Sequence, residues 1–194
     1  MSKNAIILLH EIYGMNTFIE EICENYRDKG YDVFCPNLID RQPFHYEEAQ
    51  KAYEYFMRTG GFSRSEAISA TVTQLKESYE KVFLIGFSVG ATLAWKCCEN
   101  TPCDAIVGYY GSRIRDYTQM NPNCPTLLLF SQEDAFDVHT VVEQLQEKAD
   151  LETHVFPAKH GFMDCFSPNY DGQCAKDAEN LMVRFLSGTC YKDI

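Results

Sequence analysis

Short apolar runs alternate with amphipathic segments along the whole chain. The runs predicted as strands are AIILLH, DVFCPNL, KVFLIGF, DAIVGYYG, CPTLLLFS and ETHVFP, at residues 5–10, 32–38, 81–87, 104–111, 124–131 and 152–157. Apolar residues three or four positions apart predict helices over residues 18–29, 46–79 (two helices divided at Gly60 and Gly61), 89–99, 138–149 and 171–187. This alternation predicts an α/β fold, a mostly parallel sheet of about six or seven strands with helices on both faces.

Several residues mark where the predicted helices begin and end. Thr17 and Glu20 have the spacing of a capping box, and Gly30 is placed to end the same helix. Asp137 is a plausible N-cap for the helix that starts at Val138. No linker or repeat interrupts the pattern, so we expect residues 1–194 to form a single domain.

The composition argues against two classes of binding partner. The net charge of −11 argues against nucleic acid and anionic membranes, since both bind basic patches. The N-terminal stretch MSKNAIILLH has neither a cleavage site nor the length of a membrane span, so we expect a cytoplasmic protein. The expected partner is a small molecule, bound by a monomer or a homodimer.

Nine cysteines are many for 194 residues. They are Cys23, Cys35, Cys97, Cys98, Cys103, Cys124, Cys165, Cys174 and Cys190. No pair has the C-x-x-C spacing of a zinc or thioredoxin-like site. We therefore interpret them as reduced and mostly buried, and we expect no metal and no cofactor.

The stretch LIGFSVGAT has the spacing G-x-S-x-G at Gly86, Ser88 and Gly90. An apolar strand precedes it and a predicted helix follows, which is the context of a nucleophile elbow. The flanking glycines relieve crowding at the strained serine, and the helix N-terminus aims N–H groups at an oxyanion. Ser88 is the predicted nucleophile, and a tight turn with a capping serine is the alternative.

A serine nucleophile needs a base, and one histidine lies where the sheet would deliver it. The five histidines are His10, His45, His139, His154 and His160. Only His160 follows the last strand in a loop, at the carboxyl edge where ligands of parallel sheets bind. We predict His160 as the base, with a surface-loop histidine as the alternative.

The acid is expected after another strand, between Ser88 and His160, if the order is that of α/β-hydrolases. Glu133, Asp134 and Asp137 compete for this role. Asp137 is also the predicted N-cap of a helix. The side chain of Glu133 would have to reach the histidine over a different distance. We choose Asp134, which would hold the His160 tautomer.

An oxyanion hole needs two backbone N–H groups. One is expected from Val89, the residue after the nucleophile, and the other from Ile12, in the loop after the first strand.

Five segments together resemble the dienelactone hydrolase family of α/β-hydrolases, over nearly the whole chain. They are LLHEIYGMN, YDVFCPNL, VGYYG, PTLLLFSQED and KHGFMD. The resemblance implies a compact α/β-hydrolase fold with little or no lid and the hydrolysis of esters or lactones by Ser88, Asp134 and His160. It also implies that Glu11 lies beside the nucleophile, where it would orient Ser88, tune the site or pair with a cationic group; a solvated loop carboxylate is the alternative.

The chain departs from the family pattern at two positions. The best-known members have cysteine at the elbow, whereas this chain has Ser88. Where dienelactone enzymes carry an arginine, four residues past the catalytic histidine, this chain has Asp164. A carboxylate there would repel an anion, which makes dienelactone a doubtful substrate.

The pocket residues are less sharply defined by the sequence. Tyr53 loosely matches a pocket tyrosine of the family. Phe87, Tyr109, Tyr110 and Phe162 could line an apolar pocket or belong to the core.

The function expected from these residues is cofactor-free hydrolysis of small carboxylic esters or lactones through an acyl-enzyme. The alternative is a catalytically weak or inactive ligand-binding protein on the same scaffold. A flavodoxin-like nucleotide binder fits less well, because HEIYGMN lacks the glycines or hydroxyls of a phosphate loop.

Overall fold

Six parallel strands form the single sheet of the computed structural model, which describes residues 4–190 (Cys190 by its backbone alone). The strands are β1 Asn4–Leu9, β2 Asp32–Phe34, β3 Lys81–Phe87, β4 Ala105–Tyr109, β5 Thr126–Glu133 and β6 Leu151–Lys159. Their order across the sheet is β2-β1-β3-β4-β5-β6, and every neighbouring pair is parallel. The predicted α/β class and the strand number are therefore confirmed.

Within residues 4–190, six α-helices cover the two faces of the sheet. They are α1 Thr17–Asp28, α2 Ala49–Arg58, α3 Ser65–Leu75, α4 Val89–Lys96, α5 Val138–Leu145 and α6 Gly172–Cys190. Helices α1 and α6 pack on one face, and α2 to α5 pack on the other. The predicted covering of both faces is confirmed, and the division of residues 46–79 at Gly60 and Gly61 is confirmed as well.

Strand β1 shows why an unbroken apolar run suits this sheet. Ile6 and Leu8 point into the core on one face, and Ile7 and Leu9 point into the core on the other. All four are fully buried, and burial of such a side chain stabilises a fold by about 1.5–3 kcal/mol.

Some element bounds differ from the sequence predictions for local reasons. Helix α4 ends at Lys96 rather than at residue 99, because the next two N–H groups bond carbonyls only three residues back, which tightens the chain. Helix α5 ends at Leu145 rather than at residue 149. Strand β6 is longer than predicted and includes Pro157, which is tolerated because β6 is an edge strand.

One predicted helix cap is wrong and another is confirmed. The cap of α1 is Asn16, whose side-chain oxygen accepts the N–H of Ile19 at 3.2 Å, so the predicted box of Thr17 and Glu20 does not form the cap. Asp137 caps α5, as predicted, by accepting backbone N–H groups of the first turn.

The cysteines of the described part of the chain are free thiols, mostly buried, as interpreted from the sequence. The Sγ atoms of Cys103 and Cys124 lie 3.6 Å apart. The side chain of Cys190 lies outside the described residues. No helix within residues 4–190 combines the length and the apolar character needed to span a bilayer.

Candidate active site

The turn between β3 and α4 holds Ser88 in a strained conformation. Its φ and ψ are 53° and −113°, a region that residues with a side chain rarely adopt. The Ser88 N–H donates to the carbonyl of Tyr109 at 2.9 Å, which ties the turn to the end of β4. Backbone strain of this kind is typical of functional sites.

The two glycines of the motif are required by close approach of the backbone. A Cβ at Gly86 would lie 2.3 Å from the carbonyl oxygen of Gly90. A Cβ at Gly90 would lie 2.1 Å from the carbonyl oxygen of Leu9, at the end of β1. Because neither glycine has a side chain, the first turn of α4 can contact the end of β1. The loop that contains Ile12 follows directly from that end.

We predict that Gly90→Ala disrupts this junction. The added methyl group meets backbone rather than a movable side chain, so α4 or β1 must shift, at a cost of about 1–3 kcal/mol or more. Thermal unfolding should show a marked loss of stability. The control is Gly188→Ala on α6, where a Cβ meets nothing within 4 Å, and an equal effect of both changes would contradict this explanation.

Three side chains that follow β3, β5 and β6 form a hydrogen-bonded chain. Ser88 Oγ lies 2.9 Å from His160 Nε2, and His160 Nδ1 lies 2.7 Å from Asp134 Oδ2. Because Asp134 accepts at Nδ1, the neutral imidazole keeps its proton there and offers Nε2 to the serine hydroxyl. The structure thus brings together the three residues predicted as nucleophile, base and acid.

Asp134 is held by several donors. Ser131 Oγ donates to its Oδ2 at 3.0 Å and the Ala135 N–H donates to its Oδ1 at 2.7 Å. Burial alone would raise the pKa of Asp134, but the hydrogen bond and charge of His160, with these donors, lower the pKa below its usual value. The carboxyl is therefore ionised at neutral pH.

The pKa of His160 moves in the opposite direction. Burial would lower it, but the hydrogen bond and negative charge of Asp134, together with the charge of Glu11, raise it above its usual value. The Asn169 side chain donates to the His160 carbonyl at 2.9 Å, which supports the loop that carries the predicted base.

The rival acids lie elsewhere. The side chain of Glu133 is exposed, and its backbone carbonyl accepts the His160 N–H at 3.2 Å. Asp137 serves as the cap of α5. Among the other histidines, His154 pairs with Glu152 at 2.6 Å on the outside of β6.

The two backbone groups predicted as an oxyanion hole lie at the end of β1 and the start of α4. Within residues 4–190, neither the Ile12 N–H nor the Val89 N–H has an acceptor. Val89 begins α4, so its N–H adds to the positive end of the helix dipole. Their role at an oxyanion stays a prediction.

His10 fixes the peptide that carries the Ile12 N–H. Its Nε2 accepts the Leu38 N–H at 2.8 Å, so the proton is on Nδ1, which donates to the Glu11 carbonyl at 2.6 Å. A peptide unit is planar and trans, so holding the Glu11 carbonyl also sets the direction of the Ile12 N–H. Burial lowers the pKa of His10 to about 4, which keeps the imidazole neutral.

Glu11 is buried near His160 and is not the solvated carboxylate of the alternative. Its residue is only 5% exposed. Burial raises the pKa of Glu11 to about 7; the positive charge of His160 and the phenol of Tyr110 oppose this rise, and the charge of Asp164 adds to it. Glu11 therefore shares the electrostatic environment of His160.

The residues predicted for a pocket lie in different surroundings. Phe87 and Phe162 are 1% and 0% exposed and belong to the core beneath α1 and α6, so this structure has them as core rather than as the wall of an open pocket. Tyr53 is half-buried and packs against the core on the other face. Tyr110 is buried, and its ring lies 5.0 Å from the His160 ring.

An open cavity of about 440 Å³ borders Asp134 and His160, the predicted acid and base. Its lining residues are Glu133, Asp134, Ala135, Lys159, His160 and Asn169.

Sequence reasoning missed the residues that support the predicted ones. Ser131, three residues before Asp134, is the one with a sequence signal, because a hydroxyl at that spacing can reach the carboxyl. The contact of Tyr46 with Asp164 joins residues 118 positions apart, and only the folded chain reveals it.

Two proteins are similar to this chain in sequence over most of its length. A Bacillus subtilis protein named YczH is 40% identical over 164 residues, which cover 82% of this chain and 81% of that protein. Carboxymethylenebutenolidase 1 of Cupriavidus pinatubonensis is 24% identical, over 96% of this chain and 86% of its own length.

One solved structure and one family model also match this chain over nearly its whole length. The dienelactone hydrolase-like promiscuous phosphotriesterase P91 from metagenomic libraries aligns with a TM-score of 0.71 at 18% identity, over 97% of this chain and 87% of its own. This likeness confirms the α/β-hydrolase fold predicted from the sequence. The model of the dienelactone hydrolase family matches residues 1–189. The chain belongs to the dienelactone hydrolase family.

Proposed function

We propose that this protein hydrolyses small carboxylic esters or lactones through a covalent acyl-enzyme. The observation that carries the proposal is the hydrogen-bonded chain from Ser88 through His160 to Asp134. Its geometry is that of an activated serine, with a base within reach of the hydroxyl and an acid that orients the base. Family membership and the elbow conformation of Ser88 support the same function.

In the first half of the reaction, Ser88 Oγ attacks the ester carbonyl while His160 Nε2 takes its proton. Asp134 stabilises the imidazolium that forms. The N–H groups of Ile12 and Val89 receive the oxyanion, and the dipole of α4 adds to their field. His160 then protonates the leaving alcohol, and the carbonyl re-forms as the acyl-enzyme.

In the second half, His160 takes a proton from water as the water oxygen attacks the acyl carbonyl. The tetrahedral intermediate collapses, the carboxylic acid leaves, and the proton returns from His160 to Ser88 Oγ. No step requires a cofactor. Dienelactone carries a carboxylate and is not the substrate that we propose.

The proposal is tested with the wild-type protein. It should react with a fluorophosphonate probe, gain the mass of the phosphonyl group on the peptide that contains Ser88, and hydrolyse p-nitrophenyl acetate. Heat-denatured protein is the control. A protein that neither takes the label nor cleaves short activated esters would overturn the proposal and favour a ligand-binding protein without turnover.

A further inference from the structure

Two buried carboxyl groups lie near the triad without a positively charged partner. Glu11 is 5% exposed and Asp164 is fully buried. Throughout residues 4–190, no lysine, arginine or histidine nitrogen comes within ion-pair distance of either carboxyl. Buried carboxyls are costly unless they are paired, so this arrangement calls for an explanation.

The two carboxyls differ in how they are hydrogen-bonded. Asp164 accepts the Tyr46 hydroxyl at 2.5 Å and the Phe166 N–H at 2.9 Å, and Tyr46 in turn accepts from the Asn16 side chain at 3.0 Å. These two donors fix the position of the Asp164 carboxyl.

Glu11 retains an unused acceptor. Its Oε1 has no hydrogen-bond partner in the described part of the chain, and neither has the hydroxyl of Tyr110, which is fully buried beside it. Orphaned polar atoms at this depth are rare in native proteins. The phenol of Tyr110 lies close enough to lower the pKa of Glu11, but no donor of the described residues meets Oε1 in hydrogen-bond geometry, so a donor supplied by a ligand would find an acceptor there.

Three tyrosines lie near these carboxyls. Burial and the negative charges of Glu11 and Asp164 raise the pKa of Tyr13, Tyr46 and Tyr110, which places all three rings in the field of both groups. The rings of Tyr13 and Tyr46 meet edge to face at 4.9 Å. Two neighbouring carboxyls are a favourable environment for a cation and an unfavourable one for an anion.

On one side these carboxyls and tyrosines border a surface cavity, and on the other side Glu11 adjoins the proposed oxyanion donor. A cavity of about 370 Å³ is lined in part by Asn16, Tyr46 and Phe166, the residues that hold Asp164. On the inner side, Glu11 immediately precedes Ile12, the proposed oxyanion donor, and its charge acts on His160. A group bound to Glu11 therefore lies close to the ester carbonyl.

We propose that Glu11, Asp164, Tyr13, Tyr46 and Tyr110 form a cation subsite that receives an ammonium group of the substrate, close to the ester carbonyl. The inference rests on the proposed ester hydrolysis and specifies its substrate class. Glu11 Oε1 accepts from the ammonium group, and the carboxyl of Asp164 adds attraction over a longer distance. A free monovalent cation could occupy the same subsite, so the experiment separates the two sources.

The test compares phenyl esters of similar size that differ in charge. Phenyl butyrate is neutral, the phenyl ester of β-alanine replaces its terminal methyl group by ammonium, and the phenyl half-ester of succinate ends in carboxylate. With rates corrected for spontaneous hydrolysis, kcat/KM should be at least tenfold higher for the β-alanine ester than for the butyrate, and at least tenfold lower for the succinate.

Variants locate this preference. At pH 8, above the Glu11 pKa of about 7, Glu11→Gln should lower the ratio of kcat/KM for the ammonium ester to that for the neutral ester at least tenfold. Glu47→Gln is the matched control, because it makes the same charge change on an exposed side chain nearby and should leave the ratio within twofold. If Glu11→Gln does not fold, Asp164→Asn replaces it, with a smaller fall in the ratio expected.

The outcomes separate this inference from the function on which it rests. Hydrolysis of all three esters without preference for the ammonium ester would overturn the subsite and leave ester hydrolysis standing. No hydrolysis of any ester would overturn the proposed function. Activation of butyrate hydrolysis by K⁺ or Na⁺ at constant ionic strength, lost in Glu11→Gln, would assign the subsite to a free cation and overturn the substrate-ammonium proposal.

Discussion

Replacing Ser88 with alanine is expected to lower kcat for p-nitrophenyl acetate by about 10⁶-fold, as for other activated serines, and to abolish labelling by the fluorophosphonate probe. The change removes the only atom that forms the covalent bond, while the alanine methyl group fits the space of the serine side chain. The residue that remains still has to adopt the strained φ of 53°, as serine does. Thermal stability should therefore change little, and mass spectrometry measures the label directly.

A control serine separates this effect from general loss of hydroxyl groups. Ser63→Ala changes an exposed serine whose hydroxyl bonds the Gly60 carbonyl, and it should leave labelling and turnover intact. Persistent labelling of Ser88→Ala would show that another nucleophile reacts with the probe and would contradict the assignment.

Asp134→Asn is expected to lower kcat by about 10⁴-fold with little loss of structure. Asn can donate to His160 Nδ1 through its amide nitrogen, which places the imidazole proton on Nε2, where it faces the serine hydroxyl as a donor and cannot accept. The three hydrogen bonds that Asp134 accepts in the native protein explain why the position itself should remain ordered.

The same substitution should shift the acid limb of the kcat/KM profile. In the native protein Asp134 raises the pKa of His160 against the effect of burial. Without that charge, burial is opposed only by Glu11, so the His160 pKa falls and the limb moves to lower pH. Asp137→Asn makes the same charge change three residues away and keeps a good helix cap, so its profile should match the wild type. An unshifted limb in Asp134→Asn would contradict the proposed coupling.

The part of the site that could be predicted from the sequence follows from topology. In a parallel sheet, residues that follow strands meet at one edge, which is enough to bring Ser88, Asp134 and His160 to the same place. The sequence alone distinguishes Asp134 from Glu133 and Asp137 less sharply. The structure adds the contacts that distinguish it, since Asp137 caps a helix and the Glu133 side chain faces solvent.

The rest depends on contacts between distant segments that no local pattern encodes. His10 could be placed at the end of a strand, but its bond to the Leu38 N–H exists only once β1 and the chain after β2 are side by side. The bond from Tyr46 to Asp164 is of the same kind. Asn16 and Thr17 are both good caps by residue type, and the observed backbone conformation selects Asn16.

The adjacent residues His10 and Glu11 together exchange a proton when the chain folds. In the unfolded chain, between pH 4.5 and 6.5, the histidine is charged and the glutamic acid is ionised; in the folded protein, with the pKa of His10 at about 4 and that of Glu11 at about 7, both are neutral. His10 alone would make stability fall as pH falls from 6.5 to 4, and Glu11 alone would make it fall as pH rises from 4.5 to 7. Folding thus moves one proton from the histidine to its neighbour, and the pair neither takes up nor releases a net proton. Between pH 4.5 and 6.5 the effects of the two groups on the free energy of unfolding therefore cancel, although the pKa of each group is strongly shifted.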